Sequence, residues 1–170
     1  VYGTNPKITN LLRLNPFSFP GNILVSEHID RLIEIFNVCW PMYAAMPAIL
    51  KDAVIHAYEN VGWDIKTSEN KYSNCLYPTF SDVLTEIKDI LNSSDYSSDS
   101  KGDYIGALVT RLRSLTNGIF GQIFSSDSLN DKDLFDENVI VDLSRVGSSE
   151  TKSMIMGLLV LKLQEYRISS

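Results

Sequence analysis

Val139-Ile140-Val141-Asp142-Leu143, the loop Ser144 to Ser149 and the stretch Glu150 to Arg167 decide how this chain folds. The first five residues are β-branched or apolar except for Asp142 and show no helical period. A strand that is apolar on both faces belongs inside a parallel sheet. The segment after the loop reads as a long helix that is apolar on nearly every side from Met154 to Leu163, and such a helix needs neighbours on nearly every face. Strand, loop and helix together make one βα unit of an α/β sheet. No second convincing strand is predicted elsewhere. The expectation is therefore that the rest of the sheet lies outside this chain, or that self-association covers the exposed surface.

Upstream of this unit the sequence predicts helices. Ser26 is the expected N-cap of a first helix, with Glu27 in its first turn and Ile29, Leu32, Ile33 and Phe36 at helical spacing up to Pro41. Pro47 suits the first turn of a second helix with Leu50, Ala53, Val54, Ala57 and Tyr58 on its core face, closed by Asn60 and Gly62. Ser68 to Asn74 reads as a loop. Thr79 with Asp82 three residues on resembles a capping box, opening a third helix with the stripe Phe80, Val83, Leu84, Ile87 and Leu91. The polar tract Ser93 to Ser100 is expected to be mobile. A fourth helix from Gly102 to Leu115 turns Tyr104, Ile105, Leu108, Val109 and Leu112 inward, and a short helix through Phe124 follows.

Before all of these, Val1 to Gly21 carries Pro6, Pro16 and Pro20, which break both helix and central strand. Leu11, Leu12, Leu14, Phe17 and Phe19 demand burial, so this segment is expected to be an extended apolar arm packed on the body. The organisation is thus an arm over 1–21, a helical region over 22–136 and a strand–helix unit over 137–170. The predicted fold class is mainly α, with about four helices and a terminal strand–helix unit of an α/β sheet. Val1 in place of an initiator Met leads us to expect an internal piece of a larger protein.

Composition narrows the function classes. The 170 residues are 44% hydrophobic and 21% charged, ordinary for a globular domain. Fifteen basic against 21 acidic residues leave a net charge of -6, which argues against a free-standing nucleic-acid binder. The longest apolar run, Met154 to Leu161, falls far short of the roughly 20 residues of a membrane span, so no membrane partner is expected. Cys39, Cys75, His28 and His56 lack metal-ligand spacing, and the two thiols are expected to be buried in a reducing cytosol.

Three segments invite a chemical reading. Gly147-Ser148-Ser149-Glu150-Thr151-Lys152-Ser153 lies where a phosphate-binding loop would, but Lys152 arrives one residue early and Thr151 replaces the second glycine. A capped helix N-terminus with Glu150 complementing its dipole is the expected state. Asp142 stands where a magnesium-holding strand-end Asp would, yet Leu143 occupies the place of the following Glu that would activate water. Asn15-Pro16-Phe17 matches a short adaptor-binding peptide, though its apolar neighbours favour packing. Among the cations, Arg111 and Arg113 are two apart on a helix and diverge. Arg145, in the loop after a strand end, is the leading candidate functional residue.

Leu14-Asn15-Pro16-Phe17 and Val139-Ile140-Val141-Asp142-Leu143-Ser144-Arg145-Val146-Gly147, with Glu150 and the helix after it, resemble the middle of a HerA-type ATPase of the HerA–FtsK group. In that group a Walker A loop comes first, then a strand and an Asn-Pro-Phe-like segment. A helical region of variable size then returns to a strand reading roughly Asp-Leu-Ser, and the Walker B strand follows. The resemblance implies that the terminal strand–helix unit comes from a RecA-like α/β core, with the helices as an insertion in it, and that the parent is a ring-forming ATPase that moves DNA or another polymer through a channel. It also implies ATP and magnesium for the parent protein, with the remainder of its own chain, like subunits and DNA as partners. On this mapping the chain holds no catalytic, cofactor-binding or metal-binding residue of its own. Arg145 is a candidate finger acting in trans on a neighbour's nucleotide. The rival reading from the residues is a stand-alone, non-enzymatic helical interaction module.

Overall fold

The computed structural model describes residues 1–170. Two short strands open the chain, β1 (Tyr2–Gly3) and β2 (Asn10–Leu11). The arm then runs irregularly into α1 (Val25–Cys39) and α2 (Met46–Asn60). A small hairpin, β3 (Trp63–Asp64) with β4 (Glu69–Asn70), precedes α3 (Phe80–Ser93). Next, α4 (Ser98–Tyr104), a π-helical segment (Ile105–Val109) and α5 (Thr110–Thr116) run on from one another. Two short helices follow, α6 (Gly118–Ile123) and α7 (Asp131–Phe135). Finally β5 (Val141–Asp142) leads into α8 (Ser149–Ser169). The protein is mainly helical with a small parallel sheet.

The expectation that the C-terminal strand has no partner in the chain is corrected. β1 lies between β2 and β5, parallel to both, with Tyr2 opposite Val141 and Gly3 opposite Asp142. Tyr2 N donates to Ile140 O at 2.8 Å. Two-residue strands carry no periodicity to detect, so only backbone pairing reveals them. Gly3 is needed at the centre because a Cβ there would lie 2.5 Å from Thr9 Oγ1 and 3.4 Å from Asp142 O. The strand is also shorter than the apolar run suggests. Ile140 is 65% exposed, and β5 sits at a sheet edge with its outer side unpaired.

The helices hold largely to their expected faces. All five predicted core residues of α2 are buried, as are Phe80, Val83, Ile87 and Leu91 of α3. Asp82 Oδ2 accepts from Thr79 N at 2.8 Å, so that capping contact forms as read. At α1 the cap moves: Glu27 Oε2 accepts from Leu24 N at 3.0 Å, and the helix begins before Ser26. Ser97, accepting from Ser100 N, starts helical structure inside the tract read as mobile. The π segment admits one extra residue per turn, and with it Ile105 faces solvent while Leu108 and Val109 stay inside. Glu69 and Asn70, read as loop, pair in the hairpin, and the five-residue α7 was not foreseen. Cys75 is exposed and Cys39 half-buried, against the expectation of two buried thiols.

A single cluster of 36 buried residues, from Leu12 to Leu161, joins arm, helical region and strand–helix unit. At its centre Phe17 is fully buried, edge-on to Tyr58 and Phe80 with ring centroids 6.2 and 5.3 Å away. α8 crosses α1 closely at Gly157, where an added Cβ would come within 3.1 Å of Ile35 Cγ2. Phe17→Ala should destabilise the protein by about 3–5 kcal/mol through lost burial and a residual cavity. Urea unfolding reads this as a lower midpoint at unchanged slope.

Candidate functional site

The strand-end loop is compact and self-satisfied except at Arg145. Asp142 Oδ1 accepts from Ser144 N at 2.9 Å. Hydrogen bonds from Ser144 and then the nearby charge of Arg145 hold the Asp142 carboxyl below its ordinary range. Val146 is buried and anchors the loop between exposed Arg145 and Gly147. At the start of α8, Ser148 Oγ accepts from Thr151 N at 3.2 Å, so the helix N-terminus is capped by its own side chain. Glu150 is engaged by the Arg111 guanidinium, Nε to Oε1 at 2.7 Å. That pairing separates Arg111 from Arg113, which is exposed and unpaired. Glu150 is therefore taken, Arg145 forms no ion pair, and its guanidinium stands in solvent at the end of β5.

A second constellation, buried, lies along the arm. Pro16 has no N–H, and the segment Asn15 to Phe19 belongs to no ladder, so its carbonyls must find donors in side chains. They do, one after another. Asn15 O accepts from Ser18 Oγ at 3.1 Å, and Pro16 O from His28 Nε2 at 2.9 Å. Phe17 O accepts from the Tyr58 hydroxyl at 2.5 Å, Ser18 O from Lys162 Nζ at 3.0 Å, and Phe19 O from the Tyr77 hydroxyl at 2.9 Å. Asn15 itself is buried, its Oδ1 accepting from Phe17 N at 3.0 Å. Asn15-Pro16-Phe17 is thus a packed turn and not an accessible peptide motif.

Two of these donors, His28 and Lys162, are basic groups, and each has acidic side chains near it. His28 is fully buried and presents Nδ1 to Glu165 Oε2 at 2.8 Å. A carbonyl only accepts, so Nε2 carries a proton towards Pro16 O, and a second proton lies between Nδ1 and the carboxylate. Arg31 Nη1 also meets Glu165 Oε1 at 3.1 Å. Burial pushes the Glu165 carboxyl up, but the bonds and charges of His28 and Arg31 outweigh it and hold the group below its ordinary value. Burial lowers Lys162 from 10.5 to about 8, against the opposing pull of Asp131 and Glu165. Burial likewise raises Asp131. The Lys162 ammonium also donates to Ser18 Oγ at 2.7 Å. Because the serine hydroxyl is directed to Asn15 O, this contact is a donor bond from the lysine and not an activated nucleophile.

These buried charges were missed in the sequence, although a signal was present. His28 precedes Ile29 on the inward stripe of α1, and Glu165 follows Leu158 and Leu161 on that of α8. A charged residue in phase with a core stripe marks a buried pair. Nowhere do three or more His, Cys, Asp or Glu side chains converge as metal ligands. No helix is long and apolar enough to cross a membrane. No family model matches the chain, no curated protein matches its sequence, and no solved structure matches its fold.

Glu165→Ala strips the partner from buried His28 and should cost about 3–5 kcal/mol in chemical unfolding. The pH dependence has two limbs with opposite causes. The folded carboxyl of Glu165 titrates below 4.5, so its contribution is full above that value and fades as pH falls further. For Lys162 the folded value of about 8 lies below 10.5, so between them the unfolded chain binds more protons and stability rises with pH. The stability of wild type relative to Lys162→Met should therefore rise between about pH 8 and 10.5, read from melting temperatures across that window.

Proposed function

We propose that this chain is an internal segment of a HerA/FtsK-like ring ATPase, a DNA translocase or helicase, and has no ATPase activity by itself. The observation that carries this reading is the parallel neighbourhood of β1 and β5. The chain leaves β1, passes through the buried Asn15-Pro16-Phe17 turn, makes a long helical excursion and returns beside β1 as β5. That order of strand, Asn-Pro-Phe segment, helical region and returning Asp-Leu-Ser strand is the order of the resembling family. Supporting it, β5 is an edge strand whose free side is open to a further strand, and Arg145 stands unpaired just beyond it. An arginine in that place can reach the nucleotide of an adjacent subunit and stabilise charge on the transferring phosphoryl group.

Mg-ATP added to this chain should give no binding heat in calorimetry, since the sequence contains neither a phosphate-binding loop nor a strand-end acidic pair. Micromolar affinity would sink the mapping. In the full-length ATPase, Arg145→Ala should cut turnover on the order of 10³-fold while nucleotide binding persists, and Arg145→Lys should rescue little. Normal turnover with a lowered melting temperature would make Arg145 structural.

One observation favours the rival, a stand-alone helical interaction module. The core closes within the chain, and β5 has a partner in it. Both readings leave the same apolar groove between α1 and α8, where Val38, Met156 and Val160 are 77%, 55% and 65% exposed. Sedimentation of the chain at high concentration separates them. Association through uncovered apolar surface is expected for a segment removed from its core, and a clean monomer supports the module.

A further inference from the structure

The two helices that flank the groove between α1 and α8 carry the same pattern in opposite senses. They run antiparallel. Arg31 reaches Glu165 at one end, Gly157 meets Ile35 in the middle, and Trp40 shares a small cavity with Ser148, Glu150 and Thr151 at the other end. On α1, Glu34 stands one turn before Val38, and on α8, Lys152 stands one turn before Met156. Residues four apart on a helix share a face, so each helix offers a charge and an apolar side chain in line. Because the helices oppose each other, the two charges lie on opposite sides of the apolar pair. Glu34 is towards the Glu165 end and Lys152 towards the Trp40 end.

Exposure agrees with this pattern. Val38 and Met156 are 77% and 55% exposed, and so is much of Val160, one turn on from Met156. Glu34 is exposed and Lys152 half-buried, and neither forms an ion pair within the chain. The neighbouring charges are already matched, Arg31 by Glu165, Asp30 by Lys51 and Glu150 by Arg111. Ser153 and Gly157 leave a hollow beside Met156 and Val160, so one face holds both ridge and groove.

Such a face is complementary to itself. A two-fold axis near Val38 and Met156 exchanges the ends of the groove, which sets Glu34 of each copy against Lys152 of the other. A partner of uniform charge would be repelled at one end, and a small apolar molecule would leave both charges unanswered. We propose that this face binds a second copy of the chain as a two-fold dimer, with the apolar pair at its centre and two Glu34–Lys152 contacts at its rim. The proposal does not rest on the ring-ATPase reading. Surface bared by removal from a larger core would associate through apolar contact alone, whatever sign of charge stood at either end.

Sedimentation equilibrium of the chain and its charge variants is the test. Wild type should follow a monomer–dimer equilibrium with no larger species, because a two-fold contact closes on itself. Glu34→Lys and Lys152→Glu should each weaken the dimer on the order of tenfold, since each sets like charges together at two places per dimer. The two changes combined restore opposite charges and should return the dissociation constant to within about threefold of wild type. Val38→Asp, which brings two carboxylates to the axis, should leave a monomer, with circular dichroism showing that its helices are intact. A wild-type monomer at high concentration would overturn the proposal and give the groove to a different occupant. Open-ended association, or a combined variant no tighter than the single ones, would overturn it too. Association that the single reversals leave unchanged would overturn it while leaving the ring-ATPase reading in place.

Discussion

The fold hangs on the backbone of a six-residue turn, Asn15 to Pro20. Its two prolines deny it a place in a helix or a central strand, and its phenylalanines draw it into the core all the same. A buried carbonyl left without a donor costs about 1–3 kcal/mol. The chain meets that demand for the four carbonyls from Pro16 to Phe19 by bringing a donor to each from a different place: His28 from α1, Tyr58 from α2, Lys162 from α8 and Tyr77 from the lead-in to α3. The turn is therefore the common axis against which the long helices are set. Its apolar side chains supply much of the burial, and its carbonyls supply the orientation.

Placing charged donors in a core creates a second constraint, because a buried ion must be paired. Glu165 answers His28 and Arg31 together, and Asp131 at the start of α7 lies within the field of Lys162. The lower end of α8 is tied to α7 as well, through Tyr166 Oη and Arg167 Nη1 on the carboxylate of Asp136 at 2.6 and 3.0 Å. The result joins the first and last helices through polar contacts that have few alternative partners. Apolar packing between α1 and α8 tolerates sliding, whereas a hydrogen-bonded histidine–glutamate pair fixes one register.

At the other end of α8, the ion pair between Arg111 and Glu150 links the helical region to the N-terminus of the strand–helix unit. The pair fixes α5 beside the first turn of α8, a few residues after the loop that carries Arg145. On the proposed ring-motor reading this contact would tie the inserted helices to the strand–helix unit. In a self-contained module it is a brace. The open edge of β5 and the bare groove beside α8 fit the first role, and the closed core fits the second.

The helical periods in the sequence determined α1, α2 and α3 and most of their buried faces, because a 3.6-residue stripe is a local pattern that burial obeys; α8 was legible as a helix, but only the structure showed which side of it is covered, with Met156 and Val160 left exposed. They also determined that Arg145 would lie in a loop behind a strand, and that the Gly147 to Ser153 stretch would serve as a capped helix start. The pairing of β1 with β5 was decided only in three dimensions, since two residues at each end of a 139-residue separation leave no trace in composition or period. The same holds for the π segment that turns Ile105 outward and for Arg111 as the partner that Glu150 takes. Only the tertiary structure showed why His28, Lys162 and Glu165 stand on apolar stripes. Their place on the stripes was legible in each helix, but their partners are carbonyls and charges from residues distant in the chain, and neither segment alone names the other.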